Sequence, residues 1–180
     1  GHETVSGVID IEAEMIAAGL KAGADSTAIV AMANGTSSLI YLDPARADLP
    51  DRVAAFLRAQ PWAGTVIAAA DLGQVGQAPL HGLAFAVSMA ADDSRNEYGV
   101  PGQALAAKPR WDKADRLGCG QHGGLAPFEQ SPVLMIDGEG FAPGATRPGS
   151  AHIVDLAPTI MRHLRVPASG MDGVALQAHP

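Results

Sequence analysis

One segment of the chain concentrates residue types that do chemistry. It runs Gly118-Cys119-Gly120-Gln121-His122-Gly123-Gly124-Leu125-Ala126-Pro127-Phe128-Glu129, so a single imidazole sits among glycines just ahead of an apolar run. Glycine removes side-chain bulk and admits backbone angles closed to other residues. Such a loop can present a histidine at its end, facing an open site. Neutral imidazole is a good zinc ligand, but zinc takes about four ligands, so His122 can be only part of a metal site. The same residues also read as a turn whose histidine is exposed or bonded to backbone. Glu129 has two readings as well: an acceptor for the second ring N–H of a metal-bound His122, or a contact to backbone. Cys119 is not read as a nucleophile, because a reactive thiolate needs an activating partner and an electropositive setting.

The other polar groups have plainer readings. His2 is expected to flank a site or to have no role, His81 before Gly82 to be exposed, and His152 to help cap a helix near Asp155. His163 falls late in that helix, where a cation suits the dipole, and His179 lies in the tail. Asp92, Asp93, Arg95 and Asn96 form a polar cluster that reads as a solvated loop or, alternatively, as a substrate-facing patch.

The elements that must position the His122 loop can be read from periodicity. Val5 to Ile9 is a short β-branched strand, and Asp10 caps a helix from Ile11 to Ala22 with Ile11, Met15, Ile16 and Leu20 near one face. Thr27 to Met32 reads as a buried strand, Asn34-Gly35 as a turn, and Ser37 to Leu42 as the second arm of a hairpin. Asp48 and Pro50 open a helix through Gln60 that Pro61 ends. Thr65 to Ala70 is a further strand. From Asp71 to Pro132 the periodicity weakens, apart from Leu83 to Met89, which reads as a strand. That stretch reads as a long ordered loop lining something, since such loops are usually functional. The near-continuous apolar run Val133 to Ile136 predicts a central parallel strand buried on both faces. Asp155 then caps a helix with Leu156, Ile160 and Leu164 at helical spacing, and Pro167 closes it.

Composition sets outer limits. Apolar residues make up 47% and charged residues 17% of the 180 positions, a globular balance. Net charge is −7 and the 12 Lys and Arg are scattered, which argues against binding a nucleic-acid duplex. A small phosphate ester remains compatible, because metal ions can supply positive charge locally. One cysteine excludes an internal disulfide. No apolar run approaches the ~20 residues of a membrane span. The start at Gly1-His2, without methionine, reads as a tag scar or as a cut from a longer protein, leaving the compartment open between cytoplasm and periplasm.

The segment from His122 to Leu176 resembles the C-terminal end of the type I phosphodiesterase/nucleotide pyrophosphatase branch of the alkaline phosphatase superfamily. The residues that carry the likeness are His122-Gly123, Pro127, Glu129, the run Val133 to Gly138, Val154-Asp155-Leu156-Ala157-Pro158-Thr159 and Met171-Asp172-Gly173. Their order and spacing over about 55 residues are what make the match. More weakly, Gly1-His2-Glu3-Thr4-Val5 resembles the residues just after the family's metal-binding Asp-His pair.

The resemblance implies a layered α/β/α fold with a mostly parallel sheet, alkaline phosphatase-like. It implies that residues 1–180 are the C-terminal portion of one catalytic domain whose N-terminal portion carries the nucleophile. The parent protein is expected to hydrolyse phosphodiester or pyrophosphate bonds with two zinc ions, His122 ligating one, and to act on a small ester such as a nucleotide. A Ser/Thr oxygen would attack phosphorus and water would release the phospho-enzyme. No catalytic residue is expected within this chain. A sulfatase, phosphonate hydrolase or phosphomutase of the same superfamily is the near alternative, and a non-catalytic α/β binding domain the distant one. Oligomeric state is not readable from the sequence.

Overall fold

Tight hairpins decide the sheet topology. In the computed structural model, which describes residues 1–111, 116–147 and 149–177, β2 (Ile29–Asn34) turns through Gly35 straight into β3 (Ser37–Leu42). Gly35 has φ 59°, a left-handed value that costs glycine nothing. Strands joined by two residues can only be antiparallel neighbours. β3 then pairs antiparallel with β5 (Leu83–Met89), and β5 with β4 (Ala63–Ala68), giving one four-stranded sheet in the order β2-β3-β5-β4. The inward positions Ser38, Ile40 and Leu42 alternate with half-buried ones, the mark of a sheet with one face on the core.

The second sheet has the order β6-β7-β1-β8. Here β1 (Glu3–Ile9) lies parallel to β7 (Pro101–Ala107), from Thr4 opposite Gln103 to Ile9 opposite Ala107. A parallel pair needs a long crossover, and the whole β2-β3-β5-β4 sheet lies in that connection. β6 (Ala91–Arg95) pairs antiparallel with β7, and the two-residue β8 (Gly120–Gln121) antiparallel with β1.

Two helices close the core. α1 (Ile11–Ala17) presents Ile11 and Met15, and α2 (Leu49–Arg58) presents Leu49, Val53 and Leu57, to Ile29, Ile40, Phe85, Val87 and Trp62. Fully burying each such side chain contributes roughly 1.5–3 kcal/mol. Asp10 caps α1 as expected, its Oδ1 accepting from the Ala13 amide at 3.0 Å. The helix stops at Ala17 and not near Ala22, because Gly19 at φ 69° turns the chain away. Asp48 does not cap α2 with its side chain. Arg46 and Arg52 clamp it instead, and the Arg46 hydrogen bonds hold its carboxyl down at about 2.

The expected layered α/β/α fold around a mostly parallel sheet is therefore overturned. Among the described residues β1 and β7 are the one parallel strand pair, and the remaining ladders are antiparallel. The chain is mixed α/β with two mostly antiparallel sheets, because tight turns make β2–β3 and β6–β7 antiparallel neighbours and β5 and β8 return antiparallel beside earlier strands. Nor is the stretch from Asp71 to Pro132 one irregular loop. Besides β5, which its apolar run marks, it contains β6, β7 and β8, where charged residues in β6 and Gly, Gln and Ala in β7 and β8 hid the strands.

The chain divides into two compact units, Gly1–Pro132 and Val133–Pro180. In the second, Val133 to Ile136 is a further correction. It is not a buried parallel strand but an exposed loop, with Val133 and Met135 each 88% accessible. That unit holds no strand among its described residues, so the run has no ladder to join. Its order comes from a 3₁₀ turn (Ile153–Asp155) running into α4 (Leu156–His163). The apolar residues Ile160 and Leu164 face outward, while Pro158 and Thr159 are buried. Polar pins hold the unit. Asp155 accepts from the His152 amide at 2.8 Å and the Val174 amide at 2.9 Å. Thr159 accepts from the Leu176 amide at 2.9 Å. A side chain at Gly173 would strike the Val154 carbonyl, so the Val154-Asp155 and Met171-Asp172-Gly173 motifs meet as a structural joint. No helix among the described residues is long and apolar enough to cross a membrane.

Candidate functional site

The loop that carries His122 is held from two sides. On one, β8 pairs with the start of β1, Glu3 opposite Gln121 and Thr4 opposite Gly120, and the Val5 amide donates to the Cys119 carbonyl at 2.9 Å. On the other, the β2–β3 turn presses against it, with the Thr36 amide donating to the His122 carbonyl at 3.3 Å. The glycines are needed for this approach. A side chain at Gly35 would run into the His122 carbonyl, and one at Gly123, whose φ is 126°, into the Asn34 carbonyl. The loop continues into a short helix, α3 (Pro127–Gln130).

Beyond His122 the backbone is tied down by buried side chains. The Gly124 amide is shared between Glu129 Oε2 at 2.7 Å and Thr36 Oγ1 at 2.9 Å. The Leu125 amide donates to Ser88 Oγ at 2.9 Å. Of the two readings of Glu129, the contact to backbone is the one observed. With its carbonyl engaged and its neighbours fixed, His122 points an exposed ring outward, and neither ring nitrogen makes a hydrogen bond among the described residues. Its ring meets that of His2 edge to face, centroids 4.9 Å apart at 83°.

Two carboxylates are buried close behind. Glu3 is 2% and Glu129 7% accessible. Both oxygens of Glu3 and the Oε1 of Glu129 lack a hydrogen-bond partner. Burial pushes the Glu3 carboxyl above its usual range, the charge of Glu129 adds to this, and the nearby Phe128 amide offsets it only in part. That amide faces the carboxylate without closing a hydrogen bond of normal geometry.

The remaining sequence candidates lie elsewhere or prove structural. His81, with φ 54°, and His163 are exposed, and His152 is the cap residue of the 3₁₀ turn Ile153–Asp155, its amide donating to Asp155. His179 lies outside the described residues. Asp92, Asp93 and Arg95 sit on β6, an exposed edge strand where charge discourages pairing with other chains. Cys119 is an exposed free thiol. A cavity of about 440 Å³ lies at the far end of β1, beside Asp10, Lys108 and Trp111, and none of the groups around His122 lines it. Sequence reasoning undervalued His2 and missed Glu3, Thr36 and Ser88. No local signal marked Glu3, which stands in the polar run Gly1-His2-Glu3-Thr4 ahead of the strand read from Val5.

For zinc, the site fits in kind and falls short in number. His122 offers an unencumbered imidazole with a second ring beside it. Among the described residues no group of three or more His, Cys, Asp or Glu converges to hold a metal. No family model, curated protein or solved structure matches the chain.

Proposed function

We propose that the parent protein is a metal-dependent phosphoesterase acting on a phosphodiester or pyrophosphate bond of a small ester such as a nucleotide, with His122 ligating one of two zinc ions. The observation that carries this reading is the meeting of His2 and His122 at 4.9 Å. The resemblance assigns both segments to one metal centre: the His-Gly motif directly, and Gly1-His2-Glu3 as the residues after an Asp-His pair. They lie 120 positions apart (122 minus 2) and converge through the β1–β8 pairing. Support comes from the site and not from the fold, whose sheets are unlike the family's.

The residues of this chain would position and present. β8 and the β2–β3 turn fix the loop, and the exposed His122 ring extends to solvent where an ester can reach it. With a net charge of −7 and buried carboxylates nearby, the chain itself offers little to attract an anionic ester. Zinc would supply that positive charge. The further ligands and the nucleophile are proposed to come from outside this chain.

The test compares His122→Ala with His163→Ala in the parent protein. The first should lose zinc by elemental analysis and lower turnover of a nitrophenyl phosphodiester by ~10²-fold or more, with little change in melting. The control should keep metal and rate. The isolated 180-residue chain should be inactive. Full metal and near-normal turnover in His122→Ala would leave His122 as an exposed turn residue and end the proposal.

A further inference from the structure

Beneath the His122 loop lies a feature that zinc at His122 does not use. Glu3 and Glu129 are more than nine-tenths buried, and three of their four carboxylate oxygens have no donor. None of the ion pairs among the described residues involves either one. The two are drawn together at the start of β1, where the Gly1 nitrogen donates to the Glu129 carbonyl at 2.8 Å and the charge of Glu129 acts on Glu3. The Gly1 contact goes to the carbonyl, so the carboxylates have only the Gly124 amide on Glu129 Oε2 and the partial offset of the Phe128 amide near Glu3. The place where Gly124 lacks a side chain is bordered by Ser88 Oγ at 2.8 Å and by the unpartnered Glu129 Oε1 at 3.2 Å from an ideal Cβ position. Buried charges are paired or coordinate metals, because an isolated carboxylate taken out of water is too costly to persist.

We infer that Glu3 and Glu129 hold a hard divalent cation, magnesium or calcium, buried behind the His122 loop and separate from the zinc proposed at its tip. The donors are oxygens only, which suits these ions and not zinc. Two carboxylates completed by hydroxyl, carbonyl and water oxygens form an ordinary magnesium donor set. The cation would tie β1 to α3 and so fix the base of the loop that presents His122.

The test is thermal melting of the full chain at neutral pH, stripped with chelator and then titrated separately with Mg²⁺ and Ca²⁺ in the absence of zinc. A cation bound only by the folded chain raises Tm, by roughly 5–10 °C at a hundredfold excess over Kd. Glu3→Gln and Glu129→Gln should each abolish the rise, while His122→Ala should keep it. That last arm separates this site from the zinc proposal. Should either Gln variant fail to fold, Mn²⁺ added to the unaltered chain should selectively broaden the amide resonances of Gly124, Leu125 and Phe128. No rise with either ion, a rise that survives both Gln variants, or broadening centred on Asp92 and Asp93 would overturn the inference. So would melting that tracks pH but neither cation, since Glu3 would then be held neutral by a proton.

Discussion

The β2-β3-β5-β4 sheet and the segment Val133 to Ile136 are similarly apolar, yet one is core and the other is exposed. Ile40 is fully buried, whereas Met135 is 88% accessible. The difference is one of partners. Ile40 sits on a strand flanked by two others, opposite Ala31 and Phe85. The Val133 run belongs to a unit with no strand among its described residues, and its backbone groups find no ladder. Hydrophobicity selects what can be buried. Neighbours with matching hydrogen bonds select what is.

The sharpest way to break this comparison is a pair of truncations. Ile40→Ala should cost about 4 kcal/mol, because it opens a cavity in a filled core. Met135→Ala should stay within about 0.5 kcal/mol, as for other exposed positions. Chemical denaturation of both variants measures the difference. A Met135 cost comparable to that of Ile40 would mean that the run is buried in solution.

The same contrast explains what the sequence could and could not reveal. The Asn34-Gly35 turn, the hairpin arm Ser37 to Leu42 and the apolar strand Leu83 to Met89 were legible because turn chemistry and strand composition act locally. Parallel or antiparallel order was not, since it depends on which distant strand arrives beside each edge. The Val133 run misled for the same reason: an apolar stretch looks alike whether or not a ladder awaits it. At the site, His122 stood out through its glycines. His2 did not, because only the β1–β8 pairing brings it across 120 positions (122 minus 2). Glu3 and Thr36 matter through contacts that no local pattern encodes.

Within the first unit a second contrast is instructive, between a buried cation that is satisfied and buried carboxylates that are not. Lys21 is wholly buried, and its Nζ donates to the Ser26 and Ile29 carbonyls at 2.6 Å each and to Glu12 at 3.3 Å. It closes the loop between α1 and β2. Glu3 has no such donors. Lys21→Met keeps the volume but strands two carbonyls and part of Glu12, so it should destabilise the chain by about 2–3 kcal/mol. Hydrogen exchange should show the loss first at the β2 amides. An unchanged melting curve would show that the ammonium merely fills space.

The smallest expected effect concerns the second unit, which polar pins hold in place of an apolar core. Amide donors from His152 and then Val174 keep the Asp155 carboxyl below its ordinary value of 3.8, with the charges of His152 and Arg147 assisting against burial. A carboxyl depressed in the fold stabilises it at pH values above the ordinary one. That stabilisation fades as pH falls through the lower, folded value, when protonation weakens both bonds. Acidification from about pH 5 toward about pH 2 should therefore lower the protection of the Val174 and Leu176 amides, measured against their intrinsic exchange rates at each pH. Asp155→Asn should show low protection already at about pH 5 and little further loss on acidification. The core amides of Ile40 and Val87 supply the internal reference, since no titrating group pins them and they should respond less. If acid loosens β3 and β5 before the Val174 amide, the second unit does not depend on Asp155, and the division into an apolar-cored unit and a polar-pinned one fails.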